Sequence, residues 1–475
     1  MNVIWIVSDT VRRKDVGAYG NQKIRTPSID ALAAKSVRFD RHYAASFPTM
    51  PTRADFMTGR WTLSFMQWTP IPPGNILLAE LLRDGAGINT AAVVDTPFFL
   101  RDGMNYDRGF TTFNEIPDHY FVAKGGYNPP HSPYRKLLER RPPHPLDFDC
   151  FAPKTFNKSM EWLTLNYKEN FFLYIDTWDP HEPWNAPTYY TEPYWPGYDG
   201  EIIMPFYKYI EEMPGFTEEK LKKAHAAYCG EISMLDAWIG NLLRQVEYMG
   251  LMDNTAIIFT TDHGFYFGEH GIFGKMIFDR DPEDTSPPRT PGTPPAEPPR
   301  YPGAWARSPL YEEVTAIPLT IYVPGVTPGT YSGLTSAVDL MPTVLDLFGQ
   351  EIPSYVEGKS LLPATKNPSQ TGREHVFTAC PFINAGDTDQ LVDHILRKCV
   401  VPSMVTITTD EWAMLYDCEP GGSELYNLKS DPDQEKNVIS QHPDVARDLH
   451  KLLVKFMQDT NVPQRLMEPR LELRL

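Results

Sequence analysis

Close cysteine pairs and long apolar runs are both missing from this sequence. Its five cysteines form no Cys-x-x-Cys pair, and an odd number without close spacing favours reduced thiols over a disulfide framework. No apolar run reaches the roughly 18 residues of a membrane span. A strand-like run follows Met1-Asn2 directly, which predicts that no signal peptide precedes it. We therefore expect a cytoplasmic protein that does not enter a membrane.

Positive charge is also scarce. The chain has 44 lysines and arginines against 61 aspartates and glutamates, a formal net charge of -17. This balance argues against a nucleic-acid-binding platform or an anionic membrane surface as partner. An anionic small molecule would need a local basic or metal-bearing pocket, because the overall field of the protein opposes it.

Proline, in contrast, is abundant, with 46 residues against the usual share of roughly 5%. Residues 281–303 are especially rich in proline and poor in apolar side chains. This composition predicts an insertion, either a surface loop or a lid or subunit-contact segment that follows Lys275. We also expect the protein to form a homo-oligomer.

Short apolar runs alternate with helical patterns, which predicts an α/β fold with a mostly parallel sheet between helices. The predicted strands lie at 3–7, 90–94, 171–175, 256–260 and 319–323. The predicted helices lie near 27–36, 75–84, 153–168, 217–249 and 338–348. We assign residues 1–370 to this domain, and residues 371–475 to a smaller C-terminal α+β domain with paired strands at 403–416 and a helix near 443–459.

Polar side chains follow three of these predicted strands. Asp9 follows the first, Asp176, Asp179 and His181 the third, and Asp262-His263 the fourth. A single aspartate in such a place is usually a turn or cap residue. Three such ends at one edge of a parallel sheet, where ligands collect, instead predict a divalent metal site.

The segment from Thr49 to Arg60 resembles the sulfatase signature Cys-x-Pro-Ser/Thr-Arg-x-x-x-Leu/Met-Thr-Gly-Arg at every defining position except the first. In sulfatases that first residue is a cysteine that is oxidised to formylglycine, and here it is Thr49. The segments Asp9-Thr10-Val11-Arg12, Asp179-Pro180-His181 and Asp262-His263-Gly264 also resemble motifs of this branch of the alkaline-phosphatase superfamily. The resemblance spans nearly the whole chain.

This resemblance implies roles for the matching residues. Asp9, Asp262 and His263 would bind one metal ion together with the oxygen of Thr49. Arg53 would hold the nucleophile and its alkoxide, while His181 and Lys275 would contact the anionic group or the leaving oxygen of a small ester substrate. The role of His270 stays open, and His225, inside the long helix, is interpreted as structural.

Departures from the family pattern refine these expectations. Thr10 stands where many sulfatases have a second aspartate, and His263 stands where many have asparagine. Exchange of a carboxylate for an imidazole favours Mn²⁺ or Zn²⁺ over Ca²⁺. This metal-site pattern is more similar to that of phosphonate monoester hydrolases and phosphodiesterases than to that of many sulfatases. The region 95–101 replaces the Gly-Lys-Trp-His segment of arylsulfatases, so substrate contacts there cannot be transferred.

The predicted activity is hydrolysis of phosphate diesters or phosphonate monoesters through a covalent phospho-threonine at Thr49. A metal and Arg53 would activate the hydroxyl, and Pro51 places Thr49 just ahead of a helix N-terminus that favours anions. Three alternatives stay open. They are a sulfuric ester hydrolase in which Thr49 is natural or engineered, a phosphotransferase, and an inactive sulfatase-like binding protein.

Overall fold

The computed structural model describes most of the chain. The described residues are 1–66, 69–96, 103–116, 146–205, 207–279, 304–307, 309–380, 404–418 and 420–475. The predicted insertion at 281–303 lies outside them, as do residues 97–101 of the region that replaces the arylsulfatase segment.

A nine-stranded sheet forms the centre of the molecule. Eight strands lie in the order β13-β2-β12-β7-β1-β5-β3-β4, and β14 also pairs with β2. Their bounds are β1 Asn2–Ser8, β2 Val37–Tyr43, β3 Asn89–Val94, β4 Thr112–Glu115, β5 Phe171–Thr177, β7 Thr255–Thr260, β12 Ala316–Tyr322, β13 Gly329–Tyr331 and β14 Thr335–Ser336. Smaller sheets contain β6 Lys208–Tyr209, β8 Tyr266–Phe267, β9 Ile272–Gly274, β10 Ile277–Asp279 and β11 Ala304–Arg307.

Most of the central sheet is parallel, as predicted. β1 lies between β5 and β7 and is parallel to both. The strand predicted at 319–323 belongs to β12, which runs antiparallel to both of its neighbours, β7 and β2. Strand β2 was not among the predicted strands, because its segment Val37–Tyr43 mixes charged and apolar side chains.

Helices cover both faces of the sheet. On one face, Ile4 and Ile6 of β1 share a core with helices α1, α4 and α6, and on the other face Val3 and Trp5 share a core with α2 and α8. The bounds are α1 Pro27–Ala34, α2 Thr49–Thr58, α3 Leu78–Glu80, α4 Phe151–Asn166, α5 Thr188–Thr191, α6 Glu218–Tyr248, α7 Glu312–Thr315, α8 Leu340–Leu347, α9 Leu362–Lys366, α10 Pro443–Asp459 and α11 Gln464–Met467. Near 75–84 the predicted helix is interrupted, because α3 is followed by a π-helical turn over Leu81–Gly85.

The sequence of the long helix α6 explains where the helix begins and which of its side chains are buried. The side chain of Thr217 caps the helix by accepting a hydrogen bond from the backbone of Lys220, which satisfies one of the free N–H groups of the first turn. Its apolar stripe faces the sheet, with these side chains buried: Ile232, Leu235, Ile239, Leu242 and Val246. No helix among the described residues is long and apolar enough to span a membrane.

A second, antiparallel sheet lies in the C-terminal part and contains the predicted paired strands. It consists of β15 His375–Ala379, β16 Val405–Thr409, β17 Trp412–Tyr416 and β18 Glu424–Asn427. The outer strand β15 contacts the loop that leads to α2. Ala379 donates its N–H to the carbonyl of Ala45, and its own carbonyl accepts the N–H of Phe47. The C-terminal sheet thereby holds the segment directly ahead of Thr49.

Candidate active site

Three buried carboxylates meet at the carboxyl ends of neighbouring strands. Asp9 follows β1, Asp176 lies near the end of β5, and Asp262 follows β7 by two residues. All three are fully buried. Because β7, β1 and β5 are adjacent and parallel, their ends lie at one edge of the sheet.

The guanidinium of Arg53, on α2, contacts all three carboxylates. Its Nε and Nη2 atoms each donate to Asp176 at 2.8 Å, while Nη1 donates to Oδ2 of Asp262 at 2.6 Å and lies 3.0 Å from Oδ2 of Asp9. Arg53 is itself fully buried. One positive charge thus faces three negative charges in a region without water contact.

The two remaining negative charges are of the size that one divalent cation balances. Burial and the neighbouring Asp262 raise the pKa of the Asp9 carboxyl well above its usual value, and Arg53 opposes this only in part. Burial alone would also raise the pKa of Asp262, but His263 and Arg53 hold it well below its usual value. The pair therefore lacks one positive partner for both carboxylates to be ionised together.

His263 supplies a neutral nitrogen to the same cluster. Its Nδ1 lies 3.0 Å from the carbonyl oxygen of Gly264, so Nδ1 carries the proton and donates it, which leaves the lone pair on Nε2. Burial lowers the pKa of His263 to about 3. Neither Nε2 of His263 nor Oδ2 of Asp9 has a hydrogen-bond partner among the described residues.

These donors fit a divalent metal. Asp9, Asp262 and His263 each offer a ligand atom, and these atoms all lie within 4.8 Å of one another. Two carboxylates and an imidazole are groups that a divalent metal ion accepts as ligands.

Thr10 takes the place of the second aspartate of many sulfatases, and its hydroxyl can donate a hydrogen bond, which an ionised carboxylate cannot. Its backbone has φ 62, which is rare for a β-branched residue. Its N–H donates to Asp262 at 2.9 Å, and its hydroxyl donates to Asp9. The ammonium of Lys275 donates to the same hydroxyl at 3.3 Å. Thr10 therefore links Lys275 to both carboxylates.

Thr49 is the first residue of α2 and is 2% exposed. Its carbonyl accepts a hydrogen bond from Nη1 of Arg53 at 3.3 Å. Phe47, two residues earlier, packs against the ring of His263 with centroids 4.9 Å apart. Thr49 therefore lies at a helix N-terminus, where backbone N–H groups favour an anion, and its segment contacts the charged cluster on both sides.

His181 and Lys275 are both buried. The ring of His181 stacks on Trp178 at 3.7 Å, and its Nδ1 lies 2.7 Å from the carbonyl of Glu182. Burial and the positive charge of Lys275 lower the pKa of His181 well below its usual value. His181 is therefore neutral near pH 7, with its proton on Nδ1 and its lone pair on Nε2.

Glu182 was not among the residues that the sequence motifs predicted for the site. It is 1% exposed, and neither of its side-chain oxygens has a hydrogen-bond partner among the described residues. Lys275 Nζ lies 3.9 Å away and His181 Nδ1 3.4 Å away. Burial raises the pKa of its carboxyl. The only signal for Glu182 in the sequence is its position directly after the matched Asp-Pro-His segment, and no neighbouring residue indicates that its side chain is buried.

His270, whose role the sequence left open, and Lys14 lie in a network that is separate from the carboxylate cluster. His270 stacks on Tyr311 at 3.7 Å and pairs with Glu313 at 3.2 Å. Lys14 pairs with Glu313 and Asp433. These contacts give both residues structural partners outside the carboxylate cluster.

Comparison with known proteins gives consistent matches over this fold. The family model Sulfatase matches residues 1–350, and the model for the C-terminal part of N-sulphoglucosamine sulphohydrolase matches residues 303–459. Arylsulfatase K of Bos taurus is 24% identical over 506 aligned positions, which cover 95% of this chain and 81% of that protein.

Two solved structures share the fold. The phosphonate monoester hydrolase of Agrobacterium radiobacter superposes with a TM-score of 0.72 at 19% identity, covering 97% of this chain and 96% of that one. A protein in complex with its substrate D-glucosamine-2-N,6-O-disulfate superposes with a TM-score of 0.71 at 19% identity, covering 98% of each chain.

Proposed function

Since this chain belongs to the sulfatase family, we propose that it is a metal-dependent hydrolase of singly charged phosphorus esters, namely phosphate diesters or phosphonate monoesters. Thr49 is the nucleophile, and the intermediate is a phospho-threonine. The observation that carries this proposal is the position of Thr49. It is an unmodified alcohol at the buried N-terminus of α2, joined through Arg53 to Asp9 and Asp262.

Asp9, Asp262 and His263 would hold the metal, with the hydroxyl oxygen of Thr49 as a further ligand. A divalent ion there supplies Lewis-acid chemistry, which lowers the pKa of the alcohol and stabilises charge on the ester oxygens. Arg53 holds the carboxylates in place, because its Nε and Nη2 donate to Asp176 and its Nη1 donates to Asp262. The N-terminal N–H groups of α2 add fixed positive potential beside Thr49.

Atoms balance in two displacements at phosphorus. In the first, Thr49 loses its hydroxyl proton, its oxygen bonds to phosphorus, the bond to the leaving oxygen breaks, and that oxygen takes up a proton to leave as an alcohol. In the second, a water oxygen bonds to phosphorus and loses a proton, the bond to Thr49 breaks, and a proton returns to the Thr49 oxygen. Both steps use the same positive groups to stabilise charge on the non-bridging oxygens.

Lys275 is the better donor to the leaving oxygen. His181 is neutral with Nε2 unprotonated, and a metal ion close by would lower its pKa further. It can accept a hydrogen bond but has no spare proton to give near pH 7. Lys275 carries three donor protons, and its ammonium lies beside Glu182 and Thr10.

The charges around the site favour a singly charged ester. Asp9, Asp176 and Asp262 carry three negative charges, which Arg53 and one divalent ion balance. Lys275 then adds one positive charge, and Glu182 lies 3.9 Å from it. A pocket with at most one excess positive charge suits a diester or phosphonate monoester better than a doubly charged phosphate monoester.

Thr49 also favours phosphorus over sulfur. A hydrated formylglycine has a second hydroxyl through which the sulfated intermediate can collapse, but a threonine does not. A sulfo-threonine would need attack at sulfur and would accumulate. Hydrolysis of sulfate esters remains the second candidate, because the relatives over most of the chain include arylsulfatases.

A substrate panel tests the proposal. Aryl phosphate diesters, phosphonate monoesters, phosphate monoesters and sulfates would be compared by kcat/KM with Mn²⁺, Zn²⁺ and Ca²⁺. We expect diesters or phosphonates to be fastest and a phosphate group to be trapped on Thr49, detected by mass spectrometry. Labelled water in the product identifies hydrolysis, and label-free transfer to an added alcohol identifies a phosphotransferase. Faster turnover of sulfates than of every phosphorus ester would overturn the proposal.

A further inference from the structure

A second group of metal-ligand side chains lies outside the active site, where α6 meets the segment after β1. His225 and Cys229 are one helical turn apart on α6, and Asp15 ends a 3-10 turn over Arg13–Asp15. Nε2 of His225 lies 3.1 Å from each oxygen of Asp15 and 3.7 Å from Sγ of Cys229. The three ligand atoms all lie within 4.8 Å of one another.

Asp15 accepts a hydrogen bond from Nδ2 of Asn21 at 3.2 Å, whereas Cys229 has to share Nε2 of His225 with Asp15. Nε2 of His225 offers either one proton or one lone pair. A proton on Nε2 would have to serve both Asp15 and Cys229, and a lone pair there would face the carboxylate of Asp15. A cation among the three atoms would instead receive a lone pair from each of them.

Two of the three ligand separations, those from His225 to Asp15 and to Cys229, are close to those of tetrahedral coordination. Zinc bonds of about 2.0 to 2.1 Å to nitrogen and oxygen and about 2.3 Å to sulfur place neighbouring ligands about 3.4 Å apart for nitrogen and oxygen and about 3.6 Å apart for sulfur and nitrogen. The observed separations are 3.1 Å and 3.7 Å. The ligands therefore need little movement to close around an ion.

We propose that Asp15, His225 and Cys229 form a second metal site, selective for a soft divalent cation of the Zn²⁺ class and separate from the active site. A thiolate and an imidazole select such ions over Mg²⁺ or Ca²⁺. The side chain of His225 is 38% exposed, so the ion can enter from solvent and keep a water as its fourth ligand. The site does not depend on the proposed function.

Binding converts the Cys229 thiol into a thiolate ligand. The sulfur–hydrogen bond breaks, the sulfur–metal bond forms, and the proton leaves to solvent. Burial and the nearby Asp15 raise the pKa of this thiol, so the free protein holds the proton until a cation replaces it. Arg12, whose Nε lies 3.5 Å from Oδ2 of Asp15, and Asn21, whose Nδ2 donates to Oδ1 at 3.2 Å, hold the carboxylate in place, and a carboxylate oxygen has a second lone pair that the ion can use.

The test uses the full-length protein stripped of metal and titrated with Cd²⁺. A thiolate ligand produces an ultraviolet charge-transfer band that carboxylate and imidazole ligands do not, so the active site is silent in this measurement. We expect the band to saturate once one equivalent of Cd²⁺ has bound at the thiolate site, and we expect it to persist in Asp262→Ala. Cys229→Ser should abolish it, and the matched control Cys418→Ser, in another part of the chain, should keep it.

His225→Ala gives a second variant, because a partly exposed side chain can be truncated with little risk to the fold. We expect its Cd²⁺ affinity at the thiolate site to fall at least tenfold, with far-ultraviolet circular dichroism unchanged. A wild-type protein without the band, a band that persists in Cys229→Ser, or unchanged affinity in His225→Ala would each overturn the proposal.

Discussion

The two groups of candidate metal ligands each include an aspartate shortly after β1, Asp9 in one and Asp15 in the other, and they differ in their surroundings. The catalytic cluster, Asp9, Asp262 and His263, is fully buried. The thiol cluster, Asp15, His225 and Cys229, includes a histidine whose side chain is 38% exposed. Each has an arginine beside it, but Arg53 contacts three carboxylates, whereas Arg12 is shared between Asp15 and Glu269.

The difference shows that neighbouring groups, rather than ligand types alone, decide what a site can do. The catalytic cluster has excess buried negative charge and a helix N-terminus carrying Thr49, so a cation there can activate a nucleophile. The thiol cluster has one carboxylate, and the side chains described around it include no hydroxyl nucleophile beside a helix N-terminus. Four experiments test this contrast, beginning with the largest expected effect.

Loss of the Thr49 hydroxyl should have the largest effect. We expect Thr49→Ala to lower kcat/KM on the best phosphorus ester by at least about 1,000-fold, because the other alcohol in the first turn of α2, Thr52, already donates its hydroxyl to the backbone carbonyls of Ser46 and Pro48. Thr49→Ser keeps the hydroxyl and should retain activity within about tenfold. Thermal melts of both variants check the fold. A fully active Thr49→Ala enzyme would show that the catalytic cluster works without this nucleophile.

Asp262→Ala should separate the two clusters by metal content. Removing this carboxylate leaves Asp9, His263 and the Thr49 hydroxyl as ligands for the proposed ion, so we expect its affinity to fall by more than about 100-fold, with activity lost and the fold kept. Equilibrium dialysis with Zn²⁺ should give about one equivalent fewer than for the wild type. Cys229→Ser should lose the other equivalent. Undiminished metal content in Asp262→Ala would refute the catalytic assignment.

His42 separates the effect of burial from that of neighbouring carboxylates. It is fully buried in β2 against the hydroxyl of Thr335, and burial lowers its pKa to about 3. Below the unfolded pKa of about 6.5, the unfolded chain takes up a proton that the folded protein does not. This histidine therefore lowers the free energy of unfolding as pH falls from about 6.5 towards 3, by about 2 kcal/mol at pH 5.

Denaturant melts at pH 7 and pH 5 measure this effect. The loss of stability between the two pH values should be about 2 kcal/mol smaller in His42→Gln than in the wild type. His442→Gln, at an exposed position, is the control and should follow the wild type. Parallel curves for His42→Gln and the wild type would mean that burial does not hold His42 neutral.

Glu182→Gln should give the smallest change. Removing a negative charge 3.9 Å from Lys275 adds effective positive charge to the pocket and should improve doubly charged esters relative to singly charged ones. We expect the ratio of kcat/KM for phosphate monoester over diester to rise about tenfold, equal to about 1.4 kcal/mol. Glu192→Gln, exposed in the same region, should leave the ratio unchanged. An unchanged ratio in Glu182→Gln would remove Glu182 from charge selection.

The sequence was sufficient to predict the sheet and the meeting of the strand-end aspartates at one of its edges. Apolar runs such as Phe171–Thr177 are long and uniform, so they are recognisable as buried parallel strands, and aspartates at their ends must meet at one edge. β2 escaped recognition because its charged residues conceal the alternation. The antiparallel direction of β12 depends on how its connection crosses the sheet, which residue patterns do not encode.

Contacts between distant residues were less predictable. The three carboxylates around Arg53 and the burial of Glu182 arise only when separate loops converge. The i,i+4 spacing of His225 and Cys229 is visible on the predicted helix, but their partner Asp15 lies 210 residues away in sequence from His225. The interpretation of His225 as purely structural followed from that missing partner.

The contact between β15 and the loop ahead of Thr49 also has a consequence for biosynthesis. Thr378, in β15, donates its hydroxyl proton to the carbonyl of Ala44, 334 residues earlier. At about 5 to 20 residues per second, roughly 15 to 70 s of translation separate the two ends of this contact. The nascent chain can form its first strands and helices in that interval, but the loop ahead of Thr49 can pair with β15 only after β15 leaves the ribosome. The proposed nucleophile Thr49 therefore gains this support only once Thr378 has been synthesised.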